Sequence, residues 1–89
     1  MIDPSYIEAI VEYREGASTA SVEDWLREHG LGTRPMKGGA LVAGGRANFE
    51  AAFGVDLRRA EPPVQLPVPS ELQLAVSSVT IPRPPQPHR

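Results

Sequence analysis

Proline is the residue that most narrows what this chain can fold into. Eight of its ten prolines fall in residues 62–89. Proline fixes φ, donates no backbone hydrogen bond and biases the residue before it to extended geometry. The segment PPVQLPVP (62–69) is therefore extended, and PRPPQPHR (82–89) reads as a polyproline-like or disordered tail that builds no core. Between them, SELQLAVSSVTI (70–81) has two readings. It is either a short helix capped by Ser70 or a strand with Leu72, Leu74 and Val76 on one face. The expected organisation is a domain over residues 1–81 and a tail over 82–89.

Upstream, proline is scarce and the periodicities are clearer. Asp3-Pro4 is a helix start, an N-cap carboxylate before proline at the first helical position. Ile7, Ile10, Val11 and Arg14 follow at helical spacing, and Gly16 fits the stop. The same stretch also alternates through Ile7, Ala9, Val11 and Tyr13 as a strand would, but the caps favour a helix. Residues 17–20 are a linker. Ser21 and Asp24 form a capping-box-like pair for a second helix, whose face carries Val22, Trp25, Leu26 and His29 before Gly30 ends it. Trp25 is expected in the core, and His29 sits in the last turn, where a partly charged imidazole suits the helix dipole.

Residues 32–44 read as a hairpin turning at Lys37-Gly38-Gly39, with Ala40–Ala43 as its inner strand. The glycines of GGALVAGGR flank a strand and lack the GxxxxGK[ST] order, so they do not form a phosphate loop. A third helix over 46–53 packs Phe49, Ala52 and Phe53. Gly54 stops it, and VDLRR (55–59) follows as a strand. The expected core is Val22, Trp25, Leu26, Leu41, Phe49, Phe53, Leu57, Leu72 and Val76.

Composition excludes several kinds of function. At 89 residues the chain is one small domain. A 60-residue domain buries only about 60% of its unfolded surface, so partners are the usual aid at this size. There is no cysteine, and the two histidines, His29 and His88, are far apart, which argues against disulfides and zinc. No cofactor is implied. The net charge of −2, with signs interspersed, argues against nucleic acid. No apolar run approaches the ~20 residues of a membrane helix. MIDPSYIEAIVEYREG lacks the basic and apolar regions of a secretory signal, so the expected compartment is cytoplasmic, compatible with export inside a larger particle.

Four pieces follow in order: WLREHGL (25–31), the hairpin closing on Gly44, FEAAFGVDLRR (49–59) and LPVPSELQLAVSSV (66–79). Together they resemble the activation prodomain of the sedolisin–kumamolisin family of secreted serine-carboxyl peptidases. DPSYIEAIVEY also resembles the short helix that precedes the family's Trp-Leu helix. The resemblance implies an α+β, ferredoxin-like sandwich with helices on one face of a small antiparallel sheet. It also implies a role in helping a peptidase fold and holding it inactive. No catalytic constellation occurs in the 89 residues, so the chain is read as a non-enzyme. Aligned on the family, the chain starts after the central first strand, leaving a slot with unpaired backbone. That slot would be filled internally by LQLAVSSVTIP (72–82), giving a permuted domain, or by a partner strand, with a homo-oligomer through the unfilled position as one form.

Two functional expectations follow. In the first, the chain binds a separate peptidase. The sheet face docks on the enzyme, and Val79, Thr80, Ile81, Pro82, Arg83, Pro84 and Pro85 run through its cleft, with proline resisting cleavage. In the second, it is a structural or adaptor subunit whose tail wraps a neighbour at roughly 3.1 Å per residue. An enzyme or small-molecule binder is disfavoured, and Arg58-Arg59 reads as solvated charge at a strand end.

Overall fold

A computed structural model of the chain describes residues 6–83. The elements run β1 (Tyr6–Tyr13), α1 (Ala20–Glu28), β2 (Gly32–Met36), β3 (Gly39–Gly45), α2 (Arg46–Phe53), β4 (Val64–Leu66), one 3-10 turn at Ser70–Leu72, and β5 (Val76–Ile81). All pairings are antiparallel, and the sheet order is β2-β3-β1-β5-β4. With β4 set aside as an added edge strand, this is the ferredoxin-like order, with β1 central and both helices on one face.

The largest correction to the sequence reading is β1 itself. Residues 6–13 form a strand, not the expected helix. Ala9 and Val11 are buried while Glu8 and Glu12 are exposed, the alternation of a half-buried strand. The strand wins because its neighbours satisfy its backbone on both sides, β3 from Tyr6 to Glu12 and β5 from Ile10 to Tyr13. β-branched Ile7, Ile10 and Val11 also pack well on a pleated surface. Asp3 and Pro4 lie outside the described residues.

With β1 in the centre, no sheet position is empty. Neither a permuted domain nor a partner strand is needed, and the homo-oligomer through an unfilled slot loses its basis. Residues 76–81 do form a strand, but beside β1 rather than in its place. Both sheet edges are also guarded by proline. Pro35 sits within β2, and three-residue β4 lies between Pro63 and Pro67. An edge proline offers no donor to an incoming strand.

Local details depart from expectation in instructive ways. α1 begins at Ala20 with Thr19 as N-cap, and no side chain caps it. The Ser21–Asp24 box does not form, because Asp24 instead accepts from the Arg27 guanidinium at 2.9 Å. α2 ends as expected at Gly54, whose φ of +68° requires the left-handed region that glycine adopts freely. The VDLRR segment is not a strand. Leu57 is buried and its N–H donates to the Glu50 carboxylate at 2.7 Å. Arg58 grips Asp56 at 2.8 and 3.0 Å, holding that carboxyl well below the usual range.

In 70–81 both sequence readings apply to different parts. Ser70–Leu72 is a single helical turn and Val76–Ile81 a strand, so Leu72, Leu74 and Val76 do not share a face. Leu72 and Val76 are buried, while Leu74 is 93% exposed. Of the expected core, Val22, Leu26, Phe49, Phe53, Leu57, Leu72 and Val76 are buried; Trp25 is half-buried against that core. Ala9, Val11, Val42, Leu66 and Val79 supply the sheet side of it.

One group in this packing is a liability. The Tyr13 hydroxyl is buried with no hydrogen-bond partner among the described residues. Burial, reinforced by Glu23, raises its pKa. An unpaired buried hydroxyl costs about 1–3 kcal/mol. Tyr13→Phe is therefore expected to stabilise the domain by about 1 kcal/mol in urea titration. The folded phenol keeps its proton beyond the unfolded value near pH 10, so wild-type stability falls as pH rises past about 10. In Tyr13→Phe, that part of the alkaline loss disappears.

Candidate interaction face

The candidate site follows from the register. Directly opposed residues of antiparallel strands share a face. The pairs Ala9–Val42, Val11–Ala40 and Leu66–Val79 lie under the helices. The pairs Ile10–Leu41, Glu8–Ala43 and Arg34–Leu41 therefore point the other way, onto a face that neither helix covers. Leu41, expected in the core, belongs to this open face and is only half-buried there.

The centre of the open face is the half-buried Ile10–Leu41 pair on adjacent strands. Met36, at 46% exposure, and Tyr6, at 55%, extend the apolar surface toward opposite ends. Glu8 and Glu12 flank Ile10 on β1, and Arg34 stands across Leu41 on β2. Toward β5 and β4 the same face turns to uncharged polar groups, with Ser78, Thr80 and Gln65. At the hairpin end lies an open depression of about 470 Å³, lined by Ile10, Glu12, Met36, Lys37, Gly39 and Ser77. The Ser78 hydroxyl donates to the Glu12 carboxylate at 2.8 Å, and Ser77 Oγ donates to the Glu12 carbonyl at 3.2 Å.

The expected partner-binding segment is divided by the fold. Val79 and Ile81 are buried under the helices, and Thr80 lies mid-strand opposite Ile10 on one side and Gln65 on the other. These three residues are structural parts of β5. Pro82 and Arg83 leave the sheet, and Arg83 is exposed. Pro84 and Pro85 lie outside the described residues.

Elsewhere the chemistry is modest. The His29 ring lies tilted against Trp25 at 3.9 Å between centroids, and its Nδ1 donates to the Trp25 carbonyl at 2.7 Å at the end of α1. Among the described residues no group of three or more His, Asp or Glu could hold a metal ion. No helix among them is long and apolar enough to cross a membrane. The open face escaped the sequence reading because it exists only once residues 6–13 are a strand. Its one visible signal was the alternation of Glu8 and Glu12 with Ala9 and Val11.

No family model, no curated protein and no solved structure matches this chain.

Proposed function

We propose that this chain is a non-enzymatic protein-interaction module that binds a peptidase, as inhibitor or folding aid, through the open face of its sheet. The observation that carries this reading is the uncovered Ile10–Leu41 centre, bordered by Met36 and Tyr6, on a domain whose opposite face is filled by helices. Contiguous apolar surface rimmed by charge is the usual form of a protein-docking patch. The resemblance to sedolisin–kumamolisin prodomains supplies the class of partner. Pro82 and Arg83 follow directly on β5 and begin the segment that would enter the enzyme cleft. Proline there resists hydrolysis, because it lacks the N–H and backbone freedom of an ordinary residue.

The test is inhibition of a purified serine-carboxyl peptidase, assayed on a chromogenic peptide with increasing amounts of the intact chain. Saturable inhibition is expected. Leu41→Lys, which puts a charge at the centre of the face without touching the core, should weaken it by about tenfold or more while melting close to wild type. No inhibition by the folded wild-type chain, or equal inhibition by Leu41→Lys, would defeat the proposal.

A further inference from the structure

The charges on the open face follow a pattern that their strand positions make specific. Arg34, Leu41 and Ile10 lie in one row across β2, β3 and β1. Glu8 and Glu12 lie on β1, one same-face step to either side of Ile10. All three charged side chains are exposed. Among the described residues the ion pairs are Asp24–Arg27 and Asp56–Arg58, so Arg34, Glu8 and Glu12 take part in none.

We propose that this face self-associates, two copies packing open face to open face about a two-fold axis that runs along β3. Such an axis keeps each row in register and exchanges the strands on either side of β3. Leu41 then meets Leu41 of the second copy. Arg34 lies over Ile10 of the second copy, within reach of the Glu8 and Glu12 that flank it, and the reciprocal contact follows by symmetry. Gly32, paired with Ala43 on β3, leaves room opposite Glu8 of the second copy.

Other two-fold arrangements of the same faces are poorer. An axis running across the strands through the Ile10 row would stack Glu8 on Glu12 of the second copy, and Arg34 on its own counterpart. Like charges directly opposed are destabilising. An axis between β3 and β1 would set Arg34 over Thr80, one strand further from Glu8 and Glu12. The charge pattern thus selects the axis along β3. About that axis only β2, β3 and β1 overlap, three strands about 4.8 Å apart and about 25 Å long, so each copy would contribute roughly 350 Å². That is below the ~800 Å² per partner of a standard interface, which makes this a weak association that dissociates on dilution. It goes beyond the peptidase reading and does not rest on it.

The test is sedimentation equilibrium of the full chain over a range of concentrations, with two charge variants. Arg34→Glu sets like charges against Glu8 and Glu12. The double variant Glu8→Lys and Glu12→Lys sets them against Arg34. Each alone should weaken the dimer by roughly a hundredfold, because like-charge juxtaposition costs several kcal/mol. Mixed in equal amounts they should form a heterodimer, since both reciprocal contacts then join opposite charges. Circular dichroism melts of each variant check that it is folded. A wild-type chain that is monomeric up to about 1 mM would overturn the proposal. So would a dimer unaffected by Arg34→Glu, or folded variants that fail to pair when mixed. Both associations would use the same face, so peptidase inhibition is read at chain concentrations where the weak dimer is dissociated, and either result then stands without the other.

Discussion

Phe49→Ala is expected to remove about half of this domain's stability or more. Phe49 is the largest fully buried side chain, with no exposed surface. It lies where α2 meets the sheet, and its ring stacks on Phe53 at 6.0 Å between centroids. Phe53 in turn meets Trp25 edge-on at 5.7 Å, so this pair of rings links α2 to α1. Truncating a buried phenylalanine costs about 3–5 kcal/mol, from lost transfer energy and the cavity left behind. Stability of about 0.05–0.15 kcal/mol per residue gives a domain of this size only about 4–12 kcal/mol in total. Short helices on a small sheet have little freedom to collapse into the gap. The expected urea profile at 25 °C has its midpoint at roughly half the wild-type concentration or below. A cooperative transition at the wild-type midpoint would mean that Phe49 is not in the core. The cost at Trp25 is smaller, because that indole is only half-buried and its Nε1 reaches outward to Glu71 at 3.5 Å.

The parts of the fold that could be read from sequence are those decided within a few residues. The helix at 46–53 and its stop at Gly54 follow from the phenylalanine spacing and a glycine that tolerates positive φ. The β2–β3 hairpin follows from the turn signal at Lys37-Gly38-Gly39, although Gly39 itself opens β3. What the sequence hid were choices settled by distant partners. Residues 6–13 satisfy helical and alternating patterns alike, and the decision belongs to strands at 39–45 and 76–81. Their pairing satisfies more backbone than the Asp3-Pro4 cap could add to a short helix. Leu57 is buried as expected, but VDLRR after the Gly54 stop is not the expected strand and follows an irregular path tied to Glu50. Leu41 looked like core because it is apolar, and which way it faces depends on the β1–β3 register. The candidate face was the least legible part, since every residue in it is assigned by that same register.

Gly39→Ala, a change of one methyl group, is expected to disrupt the sheet. Gly39 opens β3, opposite Glu12 on the central strand. A Cβ built there would run into the Val11 carbonyl oxygen and lie 3.1 Å from its carbon, with Glu12 Cα at 3.3 Å. These are backbone atoms in the middle of the sheet, so no side-chain rotation relieves the clash. Relief requires β3 to draw away from β1 at the hairpin end, where the Tyr13 N–H also donates to the Gly38 carbonyl at 3.0 Å. Overpacking commonly costs about 1–3 kcal/mol and occasionally more, and a backbone obstacle belongs at the upper end, about 3 kcal/mol. Gly45, at the other end of the same strand, is the matched control. A Cβ there meets nothing within 4 Å, and its φ of −69° suits any residue. Gly45 is also the N-cap of α2, where glycine is preferred to alanine, so Gly45→Ala should cost about 1 kcal/mol at most. Urea titration of the two variants side by side therefore measures the β1–β3 register itself. A large difference supports it, together with the open face it defines. Equal stabilities would mean that Gly39 does not approach Val11, and that the strands pair in some other way.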